Sequence, residues 1–204
     1  MLTLPPIRQH APAVRRFAGF TLIELMFGIA MVGILLALGA PAFSTFLQNA
    51  RLGTRAKGFY TGLQLARTEA IRQNLPVEFI LTDTAINVGN IQNVAATNAG
   101  GHNWVVRAWA SPTASQPYTL VEAKSGLEGG DAGSLQVLSS RDTIAFNGIG
   151  ATTDNSAQQL DISNPGGGLC APAGPMRCWR VRVAPGGQIR LCDPVAAAGD
   201  TRAC

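Results

Sequence analysis

Four cysteines, Cys170, Cys178, Cys192 and Cys204, all fall after residue 169 of a 204-residue chain. A thiol can ligate zinc, act as a nucleophile or oxidise to a disulfide. No two of these are spaced as CxxC, and no histidine lies near them in sequence, so no metal site is expected. An even count in a Gly- and Pro-rich region fits an oxidising compartment and two disulfides, for which three pairings are open. Links of the Cys170–Cys192 or Cys178–Cys192 type would close the last hairpin, with Cys204 tying down the tail.

The same region, MRCWRVRVAPGGQIRLC (176 to 192), gathers arginines. Arg180 and Arg182 alternate with Val181 and Val183, so both guanidinium groups share one strand face, and Arg190 follows the turn Pro185, Gly186, Gly187. Converging arginines can hold phosphates through bidentate bonds, which makes Arg180, Arg182 and Arg190 candidate contacts for double-stranded DNA. The competing reading is a solvated strand face that keeps an exported sheet edge soluble. A whole-protein attraction to nucleic acid is excluded by charge. The formal net charge is +4, but without Arg8, Arg15 and Arg16 the 16 basic residues fall to 13, against 12 acidic. Catalysis is poorly supported: His102 sits in a Gly/Asn loop, and no nucleophile motif, metal spacing or phosphate loop is present. No enzyme activity and no cofactor are expected.

Glu24 poses the sharpest chemical question. It lies inside an apolar run that begins at Phe20 and continues as LMFGIAMVGILLALGAPAF from Leu25 to Phe43. Roughly 20 helical residues cross a hydrocarbon core of about 30 Å, so residues 20 to 43 are long enough to span a membrane. Arg8, Arg15 and Arg16 precede the run, which predicts a cytoplasmic N-terminus and an exported remainder. A cleaved secretory signal fits less well, because the apolar run is too long and no A-x-A site follows it at the usual place. A carboxylate in lipid costs several kcal/mol unless it is paired, protonated or at headgroup depth. If the chain is cut after Gly19, Phe20 gains an α-amino group. Glu24 of one subunit can then pair with that cation on a neighbour.

Gly19, Phe20, Thr21, Leu22, Ile23, Glu24 and Leu25, followed by Pro41, resemble the N-terminus of the type IV pilins and type II secretion pseudopilins. The resemblance implies that an integral-membrane prepilin peptidase cuts after Gly19 and methylates Phe20. It also implies that Glu24 guides assembly and that Pro41 is a helix-kinking proline. Expected partners are that peptidase, other major and minor pilins or pseudopilins, and inner-membrane lipid before assembly.

Beyond the apolar run, Phe43, Leu47, Phe59, Leu63, Ala66 and Ala70 recur at helical spacings, with a break near Gly53. Glu69 and Arg72 can pair on the polar face, and Pro76 ends the helix. A helix from Phe20 to about Asn74 would be roughly 80 Å long. Pro41, Gly53, Gly58 and Gly62 are positions where it can bend or touch a neighbour closely. The stretch LQLARTEAIRQNLPVEF (63 to 79) resembles the GspH/FimT branch, through Leu65, Ala66, Arg67, Glu69, Ala70 and Pro76. That branch holds minor subunits that prime or cap filaments.

Strands are expected at residues 77 to 81, 104 to 109, 118 to 123, 135 to 138, 143 to 146, 176 to 183 and 188 to 192. Trp104, Trp109 and Phe146 read as core residues. The segments NWVVRAW (103 to 109) and DTIAFNGIGA (142 to 151) resemble elements of the GspH domain. Some members of the branch take up DNA and carry a C-terminal G-R-x-R-like motif beside a cysteine. Here the matching residues are Gly187, Gln188, Ile189 and Arg190, with Gln188 in place of the first arginine.

The expected architecture is therefore α+β: a leader at 1 to 19, a long helix at 20 to 75 and an exported antiparallel β domain at 76 to 204 that packs on the helix. The expected location is the bacterial inner membrane, single-pass, with the C-terminal domain periplasmic. The leading functional expectation is a minor FimT- or FimU-like pilus subunit that helps initiate or cap the filament. An H-class minor pseudopilin of type II protein secretion and a DNA-binding pilus-tip receptor are the alternatives.

Overall fold

A computed structural model describes residues 19 to 84, 89 to 99, 101 to 110, 117 to 126 and 134 to 204. The leader up to residue 18, with Arg8, Arg15 and Arg16, lies outside the described residues. The chain divides into two units, Met1–Pro41 and Ala42–Cys204, and one helix, α1 (Leu22–Gln73), contributes to both.

In the first unit the helix opens on a capping interaction. Thr21 Oγ accepts the Glu24 backbone N–H at 3.3 Å, and the Thr21 carbonyl accepts Leu25 N–H at 3.2 Å. Thr21 thus satisfies an amide that the first turn leaves without a helical partner. Leu22–Ala40 follows with a mean hydropathy of 2.3, long and apolar enough to cross a membrane, and none of it is buried within the chain. Pro41 falls within α1 and is the last residue of this unit.

In the second unit α1 buries Leu52, Ala56, Phe59, Leu63, Ala66 and Ala70, a stripe at alternating four- and three-residue spacings. Phe43 and Leu47 do not extend it as expected; they are 63% and 37% exposed. Projected back from Leu52, the inward phase falls on Thr45, Gln48 and Asn49, which are half-buried. Asn49 uses both amide atoms there: Nδ2 donates to the Pro175 carbonyl at 3.1 Å, and Oδ1 accepts Arg177 N–H at 2.7 Å. The helix ends at Asn74, which adopts a left-handed conformation with φ of 51° just ahead of Pro76.

Two antiparallel four-stranded sheets pack on this stripe. The first, in spatial order β3, β2, β1, β5, uses β1 (Val77–Thr82), β2 (Asn103–Trp109), β3 (Tyr118–Ser125) and β5 (Thr143–Phe146). The second, in order β4, β6, β7, β8, uses β4 (Gln136–Ser139), β6 (Gln158–Ser163), β7 (Trp179–Val183) and β8 (Ile189–Cys192). Both share one core with the helix, in which Phe59, Phe79, Phe146, Leu160 and Ile162 are fully buried. A smaller cluster of Ile80, Ile91 and Val105 covers the other face of the first sheet.

β6 was not expected from sequence. Its six residues, QQLDIS, carry only Leu160 and Ile162 as apolar side chains, yet these alternate inward with Gln158, the pattern of a half-buried strand. Trp104 and Phe146 are core residues as expected. Trp109 differs: it is half-buried and packs edge-on against Tyr118 at 5.2 Å.

Candidate functional site

Two regions carry the residues singled out above. The first is the start of α1. Phe20 is 83% exposed and Glu24 stands in the first helical turn, where a negative charge is favoured by the helix dipole. Thr21 and Glu24 have the S/T-x-x-E spacing of a capping box, a signal legible in the sequence that explains why an acid can open this helix.

The second region is the C-terminal hairpin. The disulfides are Cys170–Cys178, with Cα atoms 5.5 Å apart, and Cys192–Cys204, with Cα atoms 5.1 Å apart. The expectation that Cys192 pairs with Cys170 or Cys178 is therefore corrected. The reason is register: Arg180, not Cys178, lies opposite Cys192 across β7 and β8. Cys192 instead reaches the returning tail, where Asp193 N–H donates to the Arg202 carbonyl at 2.7 Å. Cys170 and Cys178 close a loop that docks on α1 through Asn49.

Arg182 and Arg190 are directly opposite one another, so the hairpin does bring them together. Each is already engaged. Arg182 Nη1 donates to the Cys204 carbonyl at 2.8 Å, and Arg190 Nη2 donates to the Thr201 carbonyl at 3.0 Å. Arg180 lies opposite Asp161, with Nε 2.6 Å from Oδ1. An open cleft of about 270 Å³ runs beside Arg182, Pro185, Gln188, Arg190 and Cys204.

The other basic residues of the region pair locally. Arg177 Nε is 3.1 Å from Asp193 Oδ2, and its guanidinium stacks 4.8 Å from the Trp179 ring centre. Arg202 holds the Asp200 carboxylate through two guanidinium hydrogen bonds and its backbone N–H, which together bring that carboxyl's pKa down to about 2. Gly187, with φ of 79°, turns β7 into β8 against the Gly150 carbonyl, where a Cβ would collide. That contact gives the glycine of the G-R-x-R-like position a packing role.

His102, the histidine among the described residues, has Nδ1 3.2 Å from Asp83 Oδ1. No group of three metal-ligating side chains occurs among the described residues.

Residues 55–187 match the family model described as type II transport protein GspH, and residues 14–40 match the prokaryotic N-terminal methylation motif. A probable minor fimbrial protein of Dichelobacter nodosus is 28% identical over 114 residues, which span 56% of this chain and 62% of that protein. The match thus covers less than two thirds of the relative's length. The crystal structure of the type IV minor pilin FimU of Pseudomonas aeruginosa aligns with a TM-score of 0.52 at 15% identity, covering 76% of this chain and 97% of that one. The minor pseudopilin EpsH of the Vibrio cholerae type 2 secretion system aligns with a TM-score of 0.45 at 17% identity, over 72% and 99% of the two chains. The FimU likeness is one of fold, a long N-terminal helix with antiparallel sheets. The chain belongs to the GspH family of type IV pilin and pseudopilin subunits, and it carries that class's N-terminal methylation motif.

Proposed function

We propose that this chain is a minor pilin-like subunit, of the FimT or FimU kind, which enters a filament through its N-terminal helix and helps initiate or cap it. The observation that carries the reading is the segment Leu22–Ala40, apolar and wholly unburied within the chain, with Glu24 at its start. Surface of that kind is stable only in lipid or against other helices. The precursor is held in the inner membrane with its N-terminus cytoplasmic and its β domain periplasmic. A prepilin peptidase then cuts after Gly19 and methylates Phe20. Glu24 pairs with the amino terminus of a neighbouring subunit while the apolar helices pack.

Membership of a pilus is favoured over a type II secretion pseudopilus by the arginine-bearing, disulfide-tied C-terminus and by the fimbrial relative. Arg182 and Arg190 each bond a carbonyl of that tail and Arg180 bonds Asp161 of β6, contacts that give all three arginines a structural role. Co-purification of the tagged chain with pilus or secretion subunits tests the reading, and Glu24→Ala tests the pairing. Loss of incorporation with Glu24→Ala is expected; unchanged incorporation would reject the pairing.

A further inference from the structure

Asn147 is the one asparagine of the sequence that a glycine follows. It leaves β5 and opens a tight turn: its N–H donates to the Ala151 carbonyl at 2.9 Å, and its carbonyl accepts Gly150 N–H at 2.8 Å. Two backbone donors also converge on its side chain. Oδ1 accepts Ile149 N–H at 3.2 Å and Ala151 N–H at 3.0 Å, so the amide oxygen is held from two sides. Among the described residues, Nδ2 donates to no acceptor, and neither does Gly148 N–H. Asn147 and Gly148 are half-buried and Ile149 is 82% exposed, so water reaches the turn.

The backbone nitrogen that follows an asparagine can attack its side-chain amide when that nitrogen is free and unhindered. Gly148 has no Cβ to obstruct the approach. Negative charge builds on Oδ1 as the amide carbon becomes tetrahedral, and Ile149 and Ala151 N–H already point at that atom. Donors set in place where charge develops lower the barrier. Other asparagines lack one part or another. Asn49 Nδ2 donates to the Pro175 carbonyl, which anchors the leaving nitrogen. Ser156 N–H, which follows Asn155, donates to Asp154 Oδ1. Asn164 precedes Pro165, which has no N–H to lose.

We propose that Asn147 is a self-modification site, at which the turn promotes deamidation of the folded chain. Gly148 N bonds to Asn147 Cγ and gives up its proton to solvent base. The Cγ–Nδ2 bond then breaks and ammonia leaves, which closes a cyclic imide. Water adds to either imide carbonyl and opens the ring to aspartate or isoaspartate, with no oxidant or reductant involved. Aspartate suits the turn better than asparagine, because a carboxylate accepts the same two N–H groups as stronger, charge-assisted bonds. Isoaspartate carries the main chain through the side-chain carbon and displaces the carbonyl that Gly150 N–H holds. Filament membership plays no part in this chemistry.

The test incubates the full-length chain, extracted in detergent, beside the same chain reduced and unfolded in urea, both at mildly alkaline pH. Peptide mass mapping follows the mass gain of amide-to-acid conversion at Asn147, and enzymatic methylation detects isoaspartate. The gain should appear about tenfold faster in the folded chain, with aspartate and isoaspartate both present. Asn147→Gln should abolish it, since the longer side chain closes the ring poorly. An equal or slower rate in the folded chain would overturn the proposal, as would a gain that appears first at Asn49 or Asn155. Aspartate without isoaspartate would mark direct hydrolysis and overturn the imide route. The comparison of folded with unfolded chain stands whether or not Asn147→Gln folds.

Discussion

Arg180 and Asp161 are cross-strand partners, opposite one another in the ladder between β7 and β6 and joined at 2.6 Å. A residue whose sequence context suggested an outward-reaching guanidinium is thus tied to its own sheet. Their side chains are 30% and 38% exposed, so solvent screens the pair. A double-mutant cycle with Arg180→Ala and Asp161→Ala, read by urea unfolding, should give a coupling below about 1 kcal/mol.

The hairpin arginines make a second prediction. Because Arg182 and Arg190 hold tail carbonyls, Arg182→Ala with Arg190→Ala should loosen residues 201 to 204, seen as faster amide exchange there. The same double variant should leave the mobility of a DNA fragment in a gel unchanged at low salt. A salt-sensitive shift that the variant abolishes would restore the nucleic-acid reading.

Disulfide mapping under non-reducing conditions should return Cys170 with Cys178 and Cys192 with Cys204. A peptide joining Cys178 to Cys192 would contradict the register of β7 and β8. Cys204→Ser together with Cys192→Ser should lower stability by about 2–3 kcal/mol, the usual scale for a short closed loop.

Gly62 and Gly58 separate two roles for glycine in one helix. A Cβ at Gly62 would lie 2.9 Å from Phe79 and 3.0 Å from Trp104, both ring atoms that cannot give way cheaply. Gly62→Ala should therefore cost about 1–3 kcal/mol by overpacking. Nothing lies within 4 Å of a Cβ at Gly58, so Gly58→Ala should stabilise by about 0.5–1 kcal/mol through helix propensity. Paired thermal melts of the two variants check both signs.

Much of this was legible in the sequence because strong local signals carried it. The N-terminal motif, the end of α1 before Pro76 and the apolar strands all follow from periodicity or from single residues with fixed conformational demands. β6 was hidden because its outward positions include Gln159 and Asp161: Asp161 meets Arg180 only once β7 lies alongside, and Gln159 bonds Asp161 within the strand. The inward phase of α1 before Leu52 was hidden for a related reason: Gln48 and Asn49 are polar and face a loop more than a hundred residues away in sequence. Cysteine pairing depends on strand register, which spacing alone does not set.

Acid should spare the tail turn until low pH. Hydrogen bonds from Arg202 bring the Asp200 carboxyl from its ordinary 3.8 to about 2. A depressed carboxylate favours the folded form fully above pH 3.8, and that contribution is lost as pH falls toward 2. A carbon-detected titration of Asp200 should show a midpoint near the lower value, and Arg202→Ala should move it upward.

The proposed assembly depends on removal of the leader to expose Phe20, which would make Glu24 the fifth residue of the processed chain. Mass spectrometry of the chain extracted from its native membranes reads this directly. The account predicts an N-terminal peptide that begins at a methylated Phe20; a chain that retains residues 1 to 19 would contradict it.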